Sequence, residues 1–157
     1  MFLVRGVADS QIQPMSLIRL DWLPTFEIGV ETIDAAHRRL FDMANELRSA
    51  IAKHDREASR VAIEAFIAAA EKHFAEEEKF LVEIDYADTE AHKGYHKLLL
   101  DKAKRLKRVC DEAMEEGKVE GCYNEVIAFL IDDIVRGDKQ FKSYLDQLGL
   151  TREAVNR

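Results

Sequence analysis

Apolar residues recur along most of this chain at three- and four-residue steps, the spacing that lines one face of an α-helix. The first stripe is Ile33, Leu40, Phe41, Ala44, Leu47 and Ile51, and it predicts a helix over about 32–53. Ile63, Phe66, Ile67, Ala70, Leu81 and Ile84 predict a second over about 56–83. A break at Ile84-Asp85-Tyr86-Ala87 separates it from a third, over about 89–116. Asp88 or Thr89 is the expected cap of that helix, and Gly117 its stop. Its stripe is Tyr95, Leu99, Ala103, Leu106, Cys110 and Ala113. Tyr123, Val126, Ile127, Leu130, Ile134, Phe141 and Leu145 predict a fourth helix over about 120–147, which Gly137 is expected to loosen locally.

Pro14, Pro24 and Gly29 interrupt the region before the first helix. Residues 1–31 are therefore expected as an arm that packs on the helices through Trp22, Leu23, Phe26, Ile28 and Val30. Met15 is an alternative start, because the pattern becomes more regular after it. Four helices with short turns imply an all-α fold, an antiparallel up-down-up-down four-helix bundle. The bundle is expected over 32–147, with a polar tail at 148–157.

Some polar residues fall on these apolar stripes: His37, His73, Glu77, His92, His96, Asp133 and Asp138. His73 and Glu77 are four apart, as are His92 and His96, so each pair shares a helix face. Leaving such groups buried and unpaired costs several kcal/mol, on the order of magnitude of a polar desolvation. Each has an ordinary reading when taken alone. A single buried histidine is usually a hydrogen-bonded core residue, Glu77 could be an exposed member of the run Glu76-Glu77-Glu78, and Asp138 a surface aspartate beside Lys139. Convergence changes the balance, because all four helices contribute and a bundle brings their inner faces together. Mixed imidazole and carboxylate donors suit iron or manganese, with zinc as an alternative. Seven groups exceed the needs of one ion, and a carboxylate can bridge two. His54, at a polar helix end beside Asp55, is expected to be solvated.

Composition narrows the class. The 157 residues are 47% hydrophobic and 34% charged with two prolines, which favours a soluble helical domain. The net charge of −7 disfavours nucleic acid or an anionic membrane as partner. No apolar run approaches the roughly 18 residues that cross a bilayer. With no signal-peptide core before Arg5 and Asp9, a cytoplasmic location is expected. Cys110 and Cys122 lie at unequal distances from the third turn, and both are expected as reduced thiols.

Several runs then carry a family resemblance: Asp34 to Phe41 (DAAHRRLF), His73 to Glu78 (HFAEEE), His92 to His96 (HKGYH), and Asp138 near the end of the last helix. Leu20-Asp21-Trp22 and the region of Val30 add an arm of matching type. Over about residues 20–145 the chain resembles the hemerythrins, specifically the single-domain bacteriohemerythrins. That resemblance implies a non-haem di-iron centre that binds O2 reversibly, for transport, storage or sensing. It implies that His37 and His73 hold the iron with the open position and that His92 and His96 hold the other. Glu77 and Asp138 would bridge the two irons beside an oxo or hydroxo group.

One position departs from the family pattern, which has a fifth ligand histidine five residues before the bridging aspartate. That position is Asp133 here. Asp133 is expected to ligate the second iron as a carboxylate; the alternative is that it turns away and leaves that iron under-ligated. An ionised carboxylate in place of a neutral imidazole lowers the charge of the cluster by one and favours ferric iron. The leading expectation is an O2-binding protein rather than an enzyme. The alternatives are a di-iron oxidase or peroxidase, and a structural or signalling module held together by its metal.

Overall fold

The stripes form helices where the pattern places them. In the computed structural model, which describes residues 17–151, α1 spans Glu31–Ala52, α2 Arg56–Glu83, α3 Thr89–Glu115 and α4 Val119–Leu130. A π-helical stretch, Ile131–Asp138, continues α4 into α5, Lys139–Gln147. The expected fourth helix is therefore interrupted rather than merely loosened. Met15 and residues 152–157 of the polar tail lie outside the described residues.

Local chemistry explains the turns. Asp55 caps α2 by accepting the Ala58 N–H at 2.9 Å, and exposed His54 before it adopts a positive φ of 54°. Gly117 ends α3 with φ 73°, a conformation that costs glycine little. The expected side-chain cap of α3 does not form. Asp88 occupies the cap position without a side-chain bond, and the Thr89 hydroxyl donates to the Tyr86 carbonyl instead, at 2.5 Å.

The helices pack α1 on α2, α2 on α3, α3 on α4 and α4 back on α1, an antiparallel ring that encloses the core. Cys110 and Cys122 are joined as a disulfide across the α3–α4 turn, with Cα atoms 4.9 Å apart. This corrects the expectation of two free thiols. Their unequal distances from the turn differ by two residues, only about 3 Å of helical rise. Both cysteines are fully buried on the same seam.

Residues before α1 lie along the bundle. Asn45 accepts the Leu20 N–H at 2.9 Å and donates to the Leu20 carbonyl at 2.7 Å, as a neighbouring strand would. Arg48 donates to the Leu17 carbonyl at 2.6 Å. Trp22 meets Phe41 edge-on at 5.3 Å, and the Asp34 carboxylate receives the amides of Ile28 (2.7 Å) and Gly29 (3.0 Å). Among the described residues, no helix is long and apolar enough to cross a membrane.

The apolar core has two parts. The larger runs from Leu40, Phe74, Leu99 and Ile134 to the disulfide end; the smaller comprises Ile28, Ile33, Leu81, Phe141 and Leu145. What separates them is polar.

Candidate metal centre

The same periodicity that buries the apolar stripes places seven titratable side chains between the two parts of the core. His37 lies between Ile33 and Leu40 on α1, and His73 and Glu77 between Ala70 and Leu81 on α2. His92 and His96 precede Leu99 on α3; Asp133 and Asp138 flank Ile134 in the π-helical stretch. All seven are between 0% and 3% exposed, so none can rely on water for its hydrogen bonding.

The side chains sort into two groups around two shared carboxylates. His37 Nε2 and His73 Nε2 are 3.0 Å apart. Asp138 Oδ2 is 2.8 Å from His37, and Glu77 Oε2 is 3.3 Å from His73. The other oxygens of the same carboxylates face the other pair. Glu77 Oε1 lies 2.7 Å from His92 Nε2 and 3.1 Å from His96 Nε2, and Asp138 Oδ1 lies 3.4 Å from His92 Nε2. The ligand atoms of His37, His73, Glu77 and Asp138 fall within 4.8 Å of one another, as do those of Glu77, His92, His96 and Asp138. Six of the expected residues thus form two four-donor sets that share two members.

Asp133 stands outside both four-donor sets and is turned inward, while Asp132 pairs with Arg136 (3.0 Å) and Lys102 (3.5 Å). Its Oδ2 is 3.5 Å from His73 Nε2 and 4.0 Å from His37 Nε2. The expectation set it beside His92 and His96; the structure sets it beside the other pair. The helix geometry explains how it faces inward at all. Five residues along an α-helix turn the chain by about 140° beyond a full turn, so Asp133 and Asp138 would diverge. The wider π-helix, with i→i+5 bonding, returns them to nearly one face. Tyr95 fixes this stretch from α3, its hydroxyl donating to the Asp132 carbonyl at 2.6 Å. Gly137 is required for that contact, since a Cβ there would sit 2.6 Å from Tyr95 Cε1.

The charges are interdependent. Burial alone would lower the His73 imidazole, but the Asp133, Glu77 and Asp138 carboxylates outweigh it and push it up to about 9. Burial likewise opposes protonation of His92, which Asp138 and Glu77 push up to about 10. Burial would raise Glu77; the His92 imidazole bonded to it and the His96 imidazole beside it overcome this and take it down to about 2. Several inward atoms have no hydrogen-bond partner: Glu77 Oε2, His96 Nε2 and both oxygens of Asp133 and Asp138. Unpaired donors and acceptors of this kind, pointed at one another in a dry core, are what a bound cation satisfies.

Three neighbours escaped the sequence reading. Glu78 lies 2.9 Å from His96 Nδ1, supporting that imidazole from outside. Its only signal was membership of an acidic run. Phe74 stacks on His96 at 4.1 Å, and Phe141 meets His92 edge-on at 5.2 Å. Phe141 falls on the apolar stripe of the fourth helix and Phe74 on none of the stripes, and both form the apolar wall of the site. Trp22 lies 6.3 Å from His37, so residues before α1 close that side.

The chain is similar in sequence to known proteins. Residues 28–145 match the family described as the hemerythrin HHE cation binding domain. A bacteriohemerythrin from Stenotrophomonas maltophilia is 30% identical over 132 residues, covering 82% of this chain and 81% of its own. One from Clostridium acetobutylicum is 25% identical, covering 76% of this chain and 96% of its own. A myohemerythrin from Theromyzon tessulatum is 29% identical, over 58% of this chain and 71% of its own.

Proposed function

The chain belongs to the hemerythrin family, and from that premise we propose that it is a non-haem di-iron protein that binds O2, for transport, storage or sensing. The observation that carries this reading is the division of Glu77 and Asp138, each with one oxygen toward His37/His73 and the other toward His92/His96. Glu77 and Asp138, with the four imidazoles, would hold two cations. Imidazole and carboxylate donors suit iron, and a pair of ferrous ions would supply two electrons to O2, one from each.

The protein groups have separate tasks in this reading. His37 and His73 would hold one ion, and His92 and His96 the other. Glu78 keeps a proton on His96 Nδ1, which leaves Nε2 free to face inward. Phe74 and Phe141 exclude water. O2 is the partner, and neither nucleic acid nor membrane enters the reading. A cytoplasmic location belongs to it as well, with the consequence that a reducing compartment would tend to open the Cys110–Cys122 disulfide.

A second reading, a di-iron oxidase or peroxidase, is favoured by the third carboxylate, Asp133, within 3.5 Å of His73. Additional anionic charge favours the ferric state and shortens the life of an O2 complex. Metal analysis with spectra of the reduced protein before and after O2 separates the readings. O2 carriage predicts two irons per chain and a charge-transfer band that disappears when O2 is removed. Irreversible oxidation with repeated turnover of peroxide would sink carriage in favour of the enzyme. Zinc without an O2-dependent spectrum would sink both.

A further inference from the structure

The reading of a di-iron centre leaves Asp133 to be placed. A histidine at this position reaches further from the backbone than an aspartate, so the replacement need not serve the same ion. The carboxylate is fully buried, and neither oxygen has a hydrogen-bond partner. Its closest imidazoles are His73 (3.5 Å) and His37 (4.0 Å), and it makes no approach within 4.0 Å to His92 or His96. The placement is supported from outside the site. Tyr95 holds the Asp132 carbonyl, Gly137 accommodates the Tyr95 ring, and Asp132 is paired outward with Arg136 and Lys102. These contacts limit the rotation that would carry Asp133 to the other pair.

Counting donors gives an asymmetry. Around His37 and His73 stand Glu77 Oε2, Asp138 Oδ2 and Asp133 Oδ2, five donors in all. Around His92 and His96 stand Glu77 Oε1 and Asp138 Oδ1, four in all. We propose that Asp133 ligates the ion held by His37 and His73, so that the position left for an exogenous ligand moves to the ion held by His92 and His96. This rests on the di-iron reading and inverts the assignment of the open position that the family resemblance implies.

A crystal structure of the iron-loaded protein with azide tests it directly. The expected result is Asp133 on the His37/His73 iron and azide on the His92/His96 iron. Azide on the His37/His73 iron, or Asp133 on the other iron, overturns the proposal while leaving the di-iron reading intact. A wild-type protein that takes up no pair of ions overturns both. Zn(II) affinity, read by competition with a chromophoric chelator, gives a second test that needs no O2 chemistry. In a His96→Ala background, adding Asp133→Ala should weaken the remaining site by at least the roughly 10–100-fold that loss of a ligand's outer partner costs. In a His73→Ala background the same addition should leave affinity nearly unchanged. The opposite pattern overturns the proposal. Asp133→Asn, which keeps the shape of the side chain, serves for any background in which Asp133→Ala does not fold.

Discussion

The two imidazole pairs offer the same donors and differ in which helices carry them and in what surrounds them. His37 and His73 come from α1 and α2, lie beside the inward carboxylate of Asp133, and are covered by Trp22. His92 and His96 share α3, are walled by Phe141 and Phe74, and are supported from behind by Glu78. Each pair therefore has one extra carboxylate, but one lies inside the cage and the other outside it. An inner carboxylate changes the charge an ion experiences directly. An outer one acts through an imidazole, by fixing which nitrogen keeps its proton and by raising the basicity of the other.

The largest effect should come from removing what the pairs share. Glu77→Gln takes an anionic donor from both, and iron content is expected to fall from two ions per chain to one or none, measured by elemental analysis. Retention of two tightly held irons would mean that Glu77 does not bridge. Next is Asp133→His, which removes an inner negative charge. On the scale of about 1–4 kcal/mol for unit charges 4 Å apart, ferrous iron should become easier to maintain. Potentiometry should show a raised reduction potential, and the O2 complex should last longer. No change in either quantity would remove Asp133 from the electrostatics of the centre.

The far end of the bundle provides a control for the comparison. Opening the 12-residue separation between Cys110 and Cys122 should cost roughly 2–3 kcal/mol of stability, seen as a lower Tm for Cys110→Ala/Cys122→Ala. Iron content should stay at the wild-type value, because the cysteines lie in the larger apolar cluster, beyond the site. A parallel loss of iron would show that the two ends are coupled. The smallest effect should follow Glu78→Ala, which acts on one pair from outside. Because Glu78 is partly exposed, a loss near the lower end of the roughly 10–100-fold range for such partners is expected. Stepwise metal titration should place that loss in one of two binding steps; an equal loss in both would deny the asymmetry.

Much of this molecule was legible before its structure. Helical periodicity located α1, α2 and α3 within a few residues, since each keeps a single α-helical period from end to end. The same periodicity exposed the site, because His37, His73, His92 and His96 occupy positions where a soluble bundle would place leucine or alanine. The fourth helix was read less well. An α-period pattern does not mark a π-helical stretch, and the need for Gly137 arises from Tyr95 on a different helix. Glu78 was hidden in an acidic run for a similar reason: its partner, His96, is 18 residues away.

The sequence by itself determined which side chains of α1, α2 and α3 face inward, because the spacing of a regular α-helix decides that. It therefore determined the bundle and its polar interior, and the departure at Asp133 was visible there too. Tertiary structure decided the relations between helices. It joined Cys110 to Cys122, divided the oxygens of Glu77 and Asp138 between two imidazole pairs, and set Asp133 against His73. The reason is physical. Periodicity along a chain reports the face of one helix, whereas ligation depends on distances of a few ångströms between helices, and packing sets those.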